Sequence, residues 1–80
     1  MNLSELTKFL VSQIISDSEL ISVKEFNMDD IINIEVLIPS NEIASVIGVG
    51  GKTAKAIRTI VQAAAYANKL KKVKINFDAF

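Results

Sequence analysis

The sequence predicts one α+β domain over residues 1–80, with the element order α-β-β-α-α-β. Its three strands are expected to form a mixed sheet in the order 1-2-3, covered by three helices on one face. Three observations support this fold class. Residues 31–38 alternate like a half-buried strand, apolar residues recur at helical spacing on both sides of it, and a glycine cluster divides the second helical region.

The first half of the chain predicts a helix and a β-hairpin. The helix, from about residue 3 to 16, begins after Asn2, which can cap it and has Glu5 three residues on. Its apolar stripe is expected to hold Leu3, Leu6, Leu10 and Ile14, widened by Phe9, Val11 and Ile15. Residues 20–26 and 31–38 are predicted strands joined by a polar turn. The second strand is expected to be central and to bury its β-branched set, Ile32, Ile34, Val36 and Ile38.

The second half predicts two helices and a third strand. Pro39 ends the second strand, and Ser40 can cap a short helix that extends to Ile47. A longer helix over about 51–67 is expected to bury Ala56, Ile57, Ile60, Ala63, Ala64 and Ala67. Its other side carries Lys52, Lys55, Arg58, Thr59, Gln62 and Tyr66. The third strand, over 72–77, is expected to run parallel to the second, since two helices connect them by a right-handed crossover.

Composition excludes several classes of site. The chain has no cysteine and no histidine, so neither disulfides nor thiolate or imidazole chemistry is possible, and we expect no enzyme, metal or cofactor. No segment approaches the roughly 18 to 20 apolar residues that span a bilayer. The first residues lack the basic region of a secretory signal, so a cytoplasmic protein is expected.

Charge is distributed unevenly, although the net charge is zero. Residues 1–40 carry two lysines and seven acids, a net charge of −5, whereas residues 41–80 carry seven bases and two acids, a net charge of +5. All seven of these bases lie between Lys52 and Lys74, a window without an acid. This asymmetry favours an acidic partner such as nucleic acid, although any single lysine can belong to an ordinary solvated face.

The stretch Gly48-Val49-Gly50-Gly51, here called the glycine loop, has the clearest functional meaning. Glycine reaches positive φ and lets another backbone approach closely because it has no Cβ. A loop of this kind also exposes the first N–H groups of the next helix, an end that attracts negative charge. The basic side chains of that helix begin directly after the loop, at Lys52, Lys55 and Arg58. We therefore interpret the loop as a binding site for a nucleic-acid backbone.

Two other interpretations of the glycines fail, and one stays open. A Walker A loop ending in Gly51-Lys52-Thr53 would need a glycine at Val46 and a strand in front of it. A dinucleotide fingerprint that begins at Gly48 would need a glycine at Thr53. A helix–turn–helix corner, in which the glycines only cap a helix, explains the loop without any ligand.

The loop and its flanking helices resemble a KH domain of the bacterial, type II arrangement. Residues 47–59, Ile-Gly-Val-Gly-Gly-Lys-Thr-Ala-Lys-Ala-Ile-Arg-Thr, are similar to the KhpA family of small single-KH-domain proteins. The length and element order extend the resemblance over nearly the whole chain. It implies a non-enzymatic protein that binds single-stranded RNA with low sequence selectivity. It also implies homodimers, or heterodimers with a KhpB-type KH protein, in RNA-linked control of growth and division.

The resemblance further assigns roles to residues around the loop. Gly48 and Gly51 correspond to the glycines of the GxxG motif, and Ile47 and Ile57 are candidates for the apolar floor of an RNA groove. The loop after the third helix corresponds to a variable loop on the far side of that groove. The predicted RNA-binding residues are Ile47, Gly48, Val49, Gly50, Gly51, Lys52, Lys55, Ile57, Arg58, Lys69, Lys71 and Lys72.

The two middle positions of the loop depart from the family pattern. Val49 and Gly50 are uncharged where the family often has a basic or polar residue. The expected affinity is lower for this reason, and also because a flexible glycine backbone must be ordered on binding. A second function therefore stays open, a protein-interaction module that dimerises through the third helix and the glycine corner. Neither a membrane nor a small-molecule substrate is expected as a partner.

Overall fold

The computed structural model describes residues 2–80 and confirms the predicted α+β architecture. The elements are α1 (Leu3–Ser12), β1 (Ser22–Asn27), β2 (Ile31–Ile38), α2 (Ile43–Ile47), α3 (Lys52–Ala67) and β3 (Lys72–Ala79). Single 3₁₀ turns occupy Ser18–Leu20 and Val49–Gly51. Within the described range, no helix is both long enough and apolar enough to cross a bilayer.

The sheet has the predicted order β1-β2-β3, with β1 antiparallel and β3 parallel to β2. The β2 side chains that face the helices are buried as predicted, namely Ile32, Ile34, Val36 and Ile38. Val73 and Ile75 of β3 join them in the core. The sheet therefore has one face packed against the helices and one open face, and β3 lies at an edge.

Helix α1 begins as predicted but ends four residues earlier. Asn2 caps the helix, because its side-chain oxygen accepts a hydrogen bond from the Glu5 N–H at 3.1 Å. The chain leaves the helix after Ser12 and turns so that Ser16 reaches Glu42. The Glu42 carboxylate accepts hydrogen bonds from the Ser16 N–H and from the Ser16 hydroxyl, each at 2.8 Å. These two hydrogen bonds hold the pKa of Glu42 below its ordinary value.

The buried side of α1 also differs from the predicted stripe. Leu3, Thr7 and Val11 are the buried residues of the helix, whereas Leu6 and Leu10 are only partly buried. Thr7 is tolerated in the core because its hydroxyl donates to the Leu3 carbonyl oxygen at 2.8 Å. Phe9 and Ile14, which the prediction placed in the stripe, are exposed.

The cap predicted for α2 is wrong. The helix begins at Ile43, and its N-cap is Glu42 rather than Ser40. The Ser40 N–H donates to the Phe80 carbonyl oxygen at 3.1 Å, so Ser40 is tied to the end of the chain instead of to the helix.

The predicted buried face of α3 is wrong at four of its six positions, whereas Ile57 is buried as predicted and Ala64 is partly buried against the core. The residues that α3 buries are Ala54, Ile57, Val61 and Ala65. Because α3 packs against both α1 and β3, it presents Val61 to the core and turns Ile60 outward. Four of the predicted core residues form an exposed apolar row, here called the outer stripe of α3: Ala56, Ile60, Ala63 and Ala67.

Candidate nucleic-acid interface

The glycine loop begins at position 48, where only glycine fits the backbone conformation and the available space. Gly48 has φ 79° and ψ 172°, a backbone conformation essentially restricted to glycine. Gly48 also lies directly against Thr53 in the first turn of α3. A Cβ on Gly48 would lie 2.8 Å from the Thr53 Cβ and 2.9 Å from the Thr53 backbone nitrogen. The turn from α2 into α3 therefore depends on the missing side chain.

The tip of the loop is open to solvent. A Cβ built on Gly50 or Gly51 meets no atom within 4 Å, and 88% of Val49 is exposed. Gly50 and Gly51 adopt left-handed conformations, with φ of 65° and 77°.

Two backbone N–H groups at this tip, those of Val49 and Gly50, are not bonded back to α2. The Gly48 N–H donates to the Ala44 carbonyl at 2.9 Å, and the Gly51 N–H donates to the Gly48 carbonyl at 3.1 Å. No hydrogen-bonded turn encloses Gly48, so within the described residues the N–H groups of Val49 and Gly50 do not donate to the last carbonyls of α2. These two exposed donors precede a helix of 16 residues, whose N-terminal end favours anions.

One side of α3 runs along the edge strand β3. The Arg58 Nε donates to the Ile75 carbonyl at 3.1 Å, and the Gln62 Nε2 donates to the Val73 carbonyl at 3.2 Å. The Arg58 guanidinium also lies 5.3 Å from the centre of the Phe77 ring. These side chains cover carbonyl groups that an edge strand would otherwise expose. Arg58 and Gln62, together with Lys72, Lys74 and Asn76, line a groove of about 390 Å³ along β3.

The structure brings part of the predicted basic set to this side of α3. Lys52 and Lys55 are exposed on the first turns of α3, next to the glycine loop, and Lys72 is exposed at the start of β3. Arg58 is half-buried and bound to β3 through its Nε. Lys69 is exposed and has a positive φ of 56° after the end of α3.

Two predicted site residues are placed differently from the expectation. The Lys71 ammonium donates to the Asn27 side-chain oxygen at 2.6 Å and to the Met28 carbonyl at 2.7 Å, so it binds the β1–β2 turn. Ile57 is only 4% exposed and belongs to the core, so it is not an open floor of the groove. Ile47, at the end of α2, is half-buried.

The sequence-based site omitted Gln62 and Lys74, which line the groove. Gln62 follows Arg58 by one helical turn, and Tyr66 follows Gln62 by another. Helical spacing placed all three on one side of the helix, but only Arg58 was assigned to the site. Lys74 alternates with buried strand residues and gave no comparable signal. Across residues 2–80, no group of three acidic side chains is placed to hold a metal ion.

Comparison with known proteins gives two results. A family model described as the KH domain of KhpA/KhpB matches residues 4–77. The chain is also similar to the RNA-binding protein KhpA of Caldanaerobacter subterraneus subsp. tengcongensis. The two are 33% identical over 67 residues, which cover 84% of this chain and 89% of that protein. Both matches include the glycine loop and the helices on either side of it.

Proposed function

The chain belongs to the KhpA/KhpB family of KH domains, and we propose that it is a non-enzymatic protein that binds single-stranded RNA. The observation that carries the proposal is the exposed tip of the glycine loop. It presents the Val49 and Gly50 N–H groups, which are not bonded back to α2, at the start of the helix whose Arg58 and Gln62 line the groove along β3. The name of the curated relative, an RNA-binding protein, supports the same function.

The backbone of the RNA is the part that the loop is suited to hold. A phosphate is an anion with several acceptor oxygens, and the Val49 and Gly50 N–H groups are donors at a positively polarised helix end. Because Gly50 and Gly51 at the tip have no side chain, a bulky sugar–phosphate chain can approach these donors closely. Lys52 and Lys55 add charge on the adjoining turns of α3.

Low sequence selectivity follows from the same geometry. Contacts to phosphate position a nucleic acid but carry no sequence information. The carbonyl groups of Val73 and Ile75, which could otherwise accept hydrogen bonds from bases, already bind Gln62 and Arg58. A protein of this kind would act on many RNAs in post-transcriptional regulation, in the cytoplasm, in processes linked to growth and division.

Salt should weaken the complex in a predictable way. If Lys52, Lys55 and Lys72 each neutralise one phosphate, log K falls with log salt with a slope of about −2, roughly a twentyfold loss of affinity from about 50 to 200 mM salt. Replacing Lys55 with Gln should reduce the slope by about 0.7. Fluorescence anisotropy of a labelled single-stranded RNA at several salt concentrations measures both effects.

Lys24 provides the matched control for the salt experiment. It is exposed on β1, where it pairs with Glu35 on the open face of the sheet, away from the glycine loop. The Lys24→Gln variant should keep the wild-type slope. Binding that is independent of salt, or equal slope changes in the two variants, would contradict the proposed interface.

A second function is favoured by the outer stripe of α3. This row of four apolar side chains is exposed, and Ile60 alone leaves 47% of its surface open to solvent. Such a row is suited to pack against a second copy of the chain or against a KhpB-type KH protein. Both functions are compatible, because a dimer would link two weak RNA sites and raise the apparent affinity without new contacts.

Sedimentation velocity tests the second function. We expect the wild-type chain to form a dimer and the Ile60→Asp variant to sediment as a monomer, since a buried charge at the centre of the row opposes association. Thr59→Asp is the matched control, because Thr59 is exposed on the neighbouring side of α3. The second function would be contradicted if the wild-type chain sediments as a monomer and no KhpB-type protein is recovered with it from cell extract.

A further inference from the structure

Tyr66 lies at the mouth of a pocket near the C-terminal end of α3. Its side chain is 87% exposed, although aromatic rings usually contribute buried contact area. The pocket has a volume of about 350 Å³. Its lining includes Gln62, Ala65, Tyr66, Leu70, Lys72 and Val73. The ring of Tyr66 is therefore free to receive a ligand on an exposed face.

The backbone at the end of α3 builds the floor of this pocket. The Leu70 N–H donates to the Ala65 carbonyl at 2.9 Å, and the Lys69 N–H donates to the Tyr66 carbonyl at 3.0 Å. With Lys69 at φ 56°, this pair of hydrogen bonds forms a Schellman motif, which folds the chain back over the last turn. The motif brings Leu70 to the same pocket as the buried side chains of Ala65 and Val73, and the result is an apolar floor.

Polar and basic groups surround this floor. Gln62 is held at the pocket wall by the hydrogen bond from its Nε2 to the Val73 carbonyl. Lys72 is exposed at the rim, and Lys69 is exposed in the loop that leads to it. Lys71 is bound to the β1–β2 turn and fixes that turn beside the pocket. An apolar floor with a basic rim suits a ligand that has a flat apolar ring and an attached negatively charged group.

The pocket is continuous with the interface proposed for RNA. Arg58, Gln62 and Tyr66 follow one another at intervals of four residues on the side of α3 that faces β3. Gln62, Lys72 and Val73 line both this pocket and the groove beside Arg58. Fourteen residues separate Lys52 from Tyr66, which is about 21 Å along a helix at 1.5 Å per residue.

We propose that this pocket holds one nucleobase of the bound RNA, stacked on the ring of Tyr66. The inference rests on the proposed RNA-binding function and adds a base site at the far end of the groove from the glycine loop. Stacking on an aromatic side chain tolerates every base, because each base has a π face. The site therefore adds affinity and fixes the length of RNA that binds, without selecting a sequence.

Substitution of Tyr66 tests the base site. We expect Tyr66→Ala to weaken binding of a single-stranded RNA octamer about fivefold to a hundredfold, and Tyr66→Phe, which keeps the ring, to restore most of that loss. Phe9→Ala is the control, because Phe9 is an exposed aromatic residue on α1. Removal of one base from the octamer, at the position that reaches the pocket, should weaken binding to the wild type but have little effect on Tyr66→Ala.

The chain has one tyrosine, so fluorotyrosine gives a single fluorine NMR signal. That signal should shift when the octamer is added. An octamer that binds wild type and Tyr66→Ala equally, without moving the signal, would overturn the base site and leave the glycine-loop interface intact. A signal that instead shifts with protein concentration in the absence of RNA would assign Tyr66 to a protein contact and overturn the base site. A wild-type chain that binds no octamer would overturn both proposals.

Discussion

Replacing Val49 and Gly50 with aspartates is expected to abolish RNA binding while the domain stays folded. Two carboxylates at the tip would face the phosphates that the loop N–H groups are proposed to hold, and like charges in contact oppose association by several kcal/mol. We expect at least about a hundredfold loss of affinity, measured by anisotropy with a single-stranded RNA. Folding should survive, because Val49 is 88% exposed and a Cβ on Gly50 meets no neighbouring atom.

The matched control replaces the same two residues with asparagines. Asparagine has nearly the shape of aspartate and tolerates the left-handed conformation of Gly50, but it adds no charge. We expect this variant to bind RNA to within a few-fold of the wild type. Equal loss of binding in both variants would show that backbone freedom, rather than charge, governs the loop. Full binding by the aspartate variant would contradict a phosphate site at this position.

Replacing Gly48 with alanine is expected to destabilise the whole domain. The conformation of Gly48 is costly for any other residue, and the new Cβ would meet the Thr53 backbone nitrogen at 2.9 Å, which cannot move without shifting α3. We expect a loss of about 3 kcal/mol or more from a total stability of roughly 4 to 12 kcal/mol for a domain of this size. The midpoint of thermal unfolding should fall by about 12 °C or more, as measured by circular dichroism.

Gly50 offers the internal comparison for this experiment. It also has a positive φ, 65°, but a Cβ there has open space around it. Gly50→Ala should therefore lose only the conformational term, about 1 to 2 kcal/mol. Equal losses at Gly48 and Gly50 would contradict the close packing of Gly48 on Thr53 as the reason for glycine at that position.

The strands and the glycine loop were predictable because their signals are local. β2 alternates β-branched and other residues over its whole length, so its bounds and its buried face followed from the sequence. Pro39 marked its end, and the two helices between β2 and β3 left a parallel pairing as the simplest arrangement. Gly48, Gly50 and Gly51 all have positive φ, a conformation that the glycines in the sequence indicated.

The buried faces of the helices were not predictable because their apolar residues surround the axis. In α3, Ile57, Ile60 and Val61 cannot all face one neighbour, and the alanines allow more than one orientation. Because α3 packs against α1 and β3, Val61 is fully buried and Ile60 is exposed. Thr7 in α1 is a similar case, since only its hydrogen bond to Leu3 permits a hydroxyl in the core.

The conformation of the glycine loop was predictable from the sequence, but the contacts of the basic side chains near it were not. The sequence analysis treated Arg58 and Lys71 as basic side chains available to RNA. A cluster of basic residues in the sequence does not show which of them form hydrogen bonds within the protein. In the structure, Arg58 binds the edge of β3 and Lys71 binds the β1–β2 turn, both through contacts with residues distant in the chain. The same long-range packing forms the pocket at Tyr66.

An amide NMR titration with a single-stranded RNA octamer shows directly whether the backbone of the glycine loop and the first turn of α3 contact the RNA. We expect the largest shifts at the amides of Val49, Gly50, Gly51 and Lys52. We also expect these shifts to be lost in the variant with aspartates at 49 and 50. Shifts confined to the open face of the sheet or to the outer stripe of α3, with the loop amides unmoved, would contradict the proposed interface.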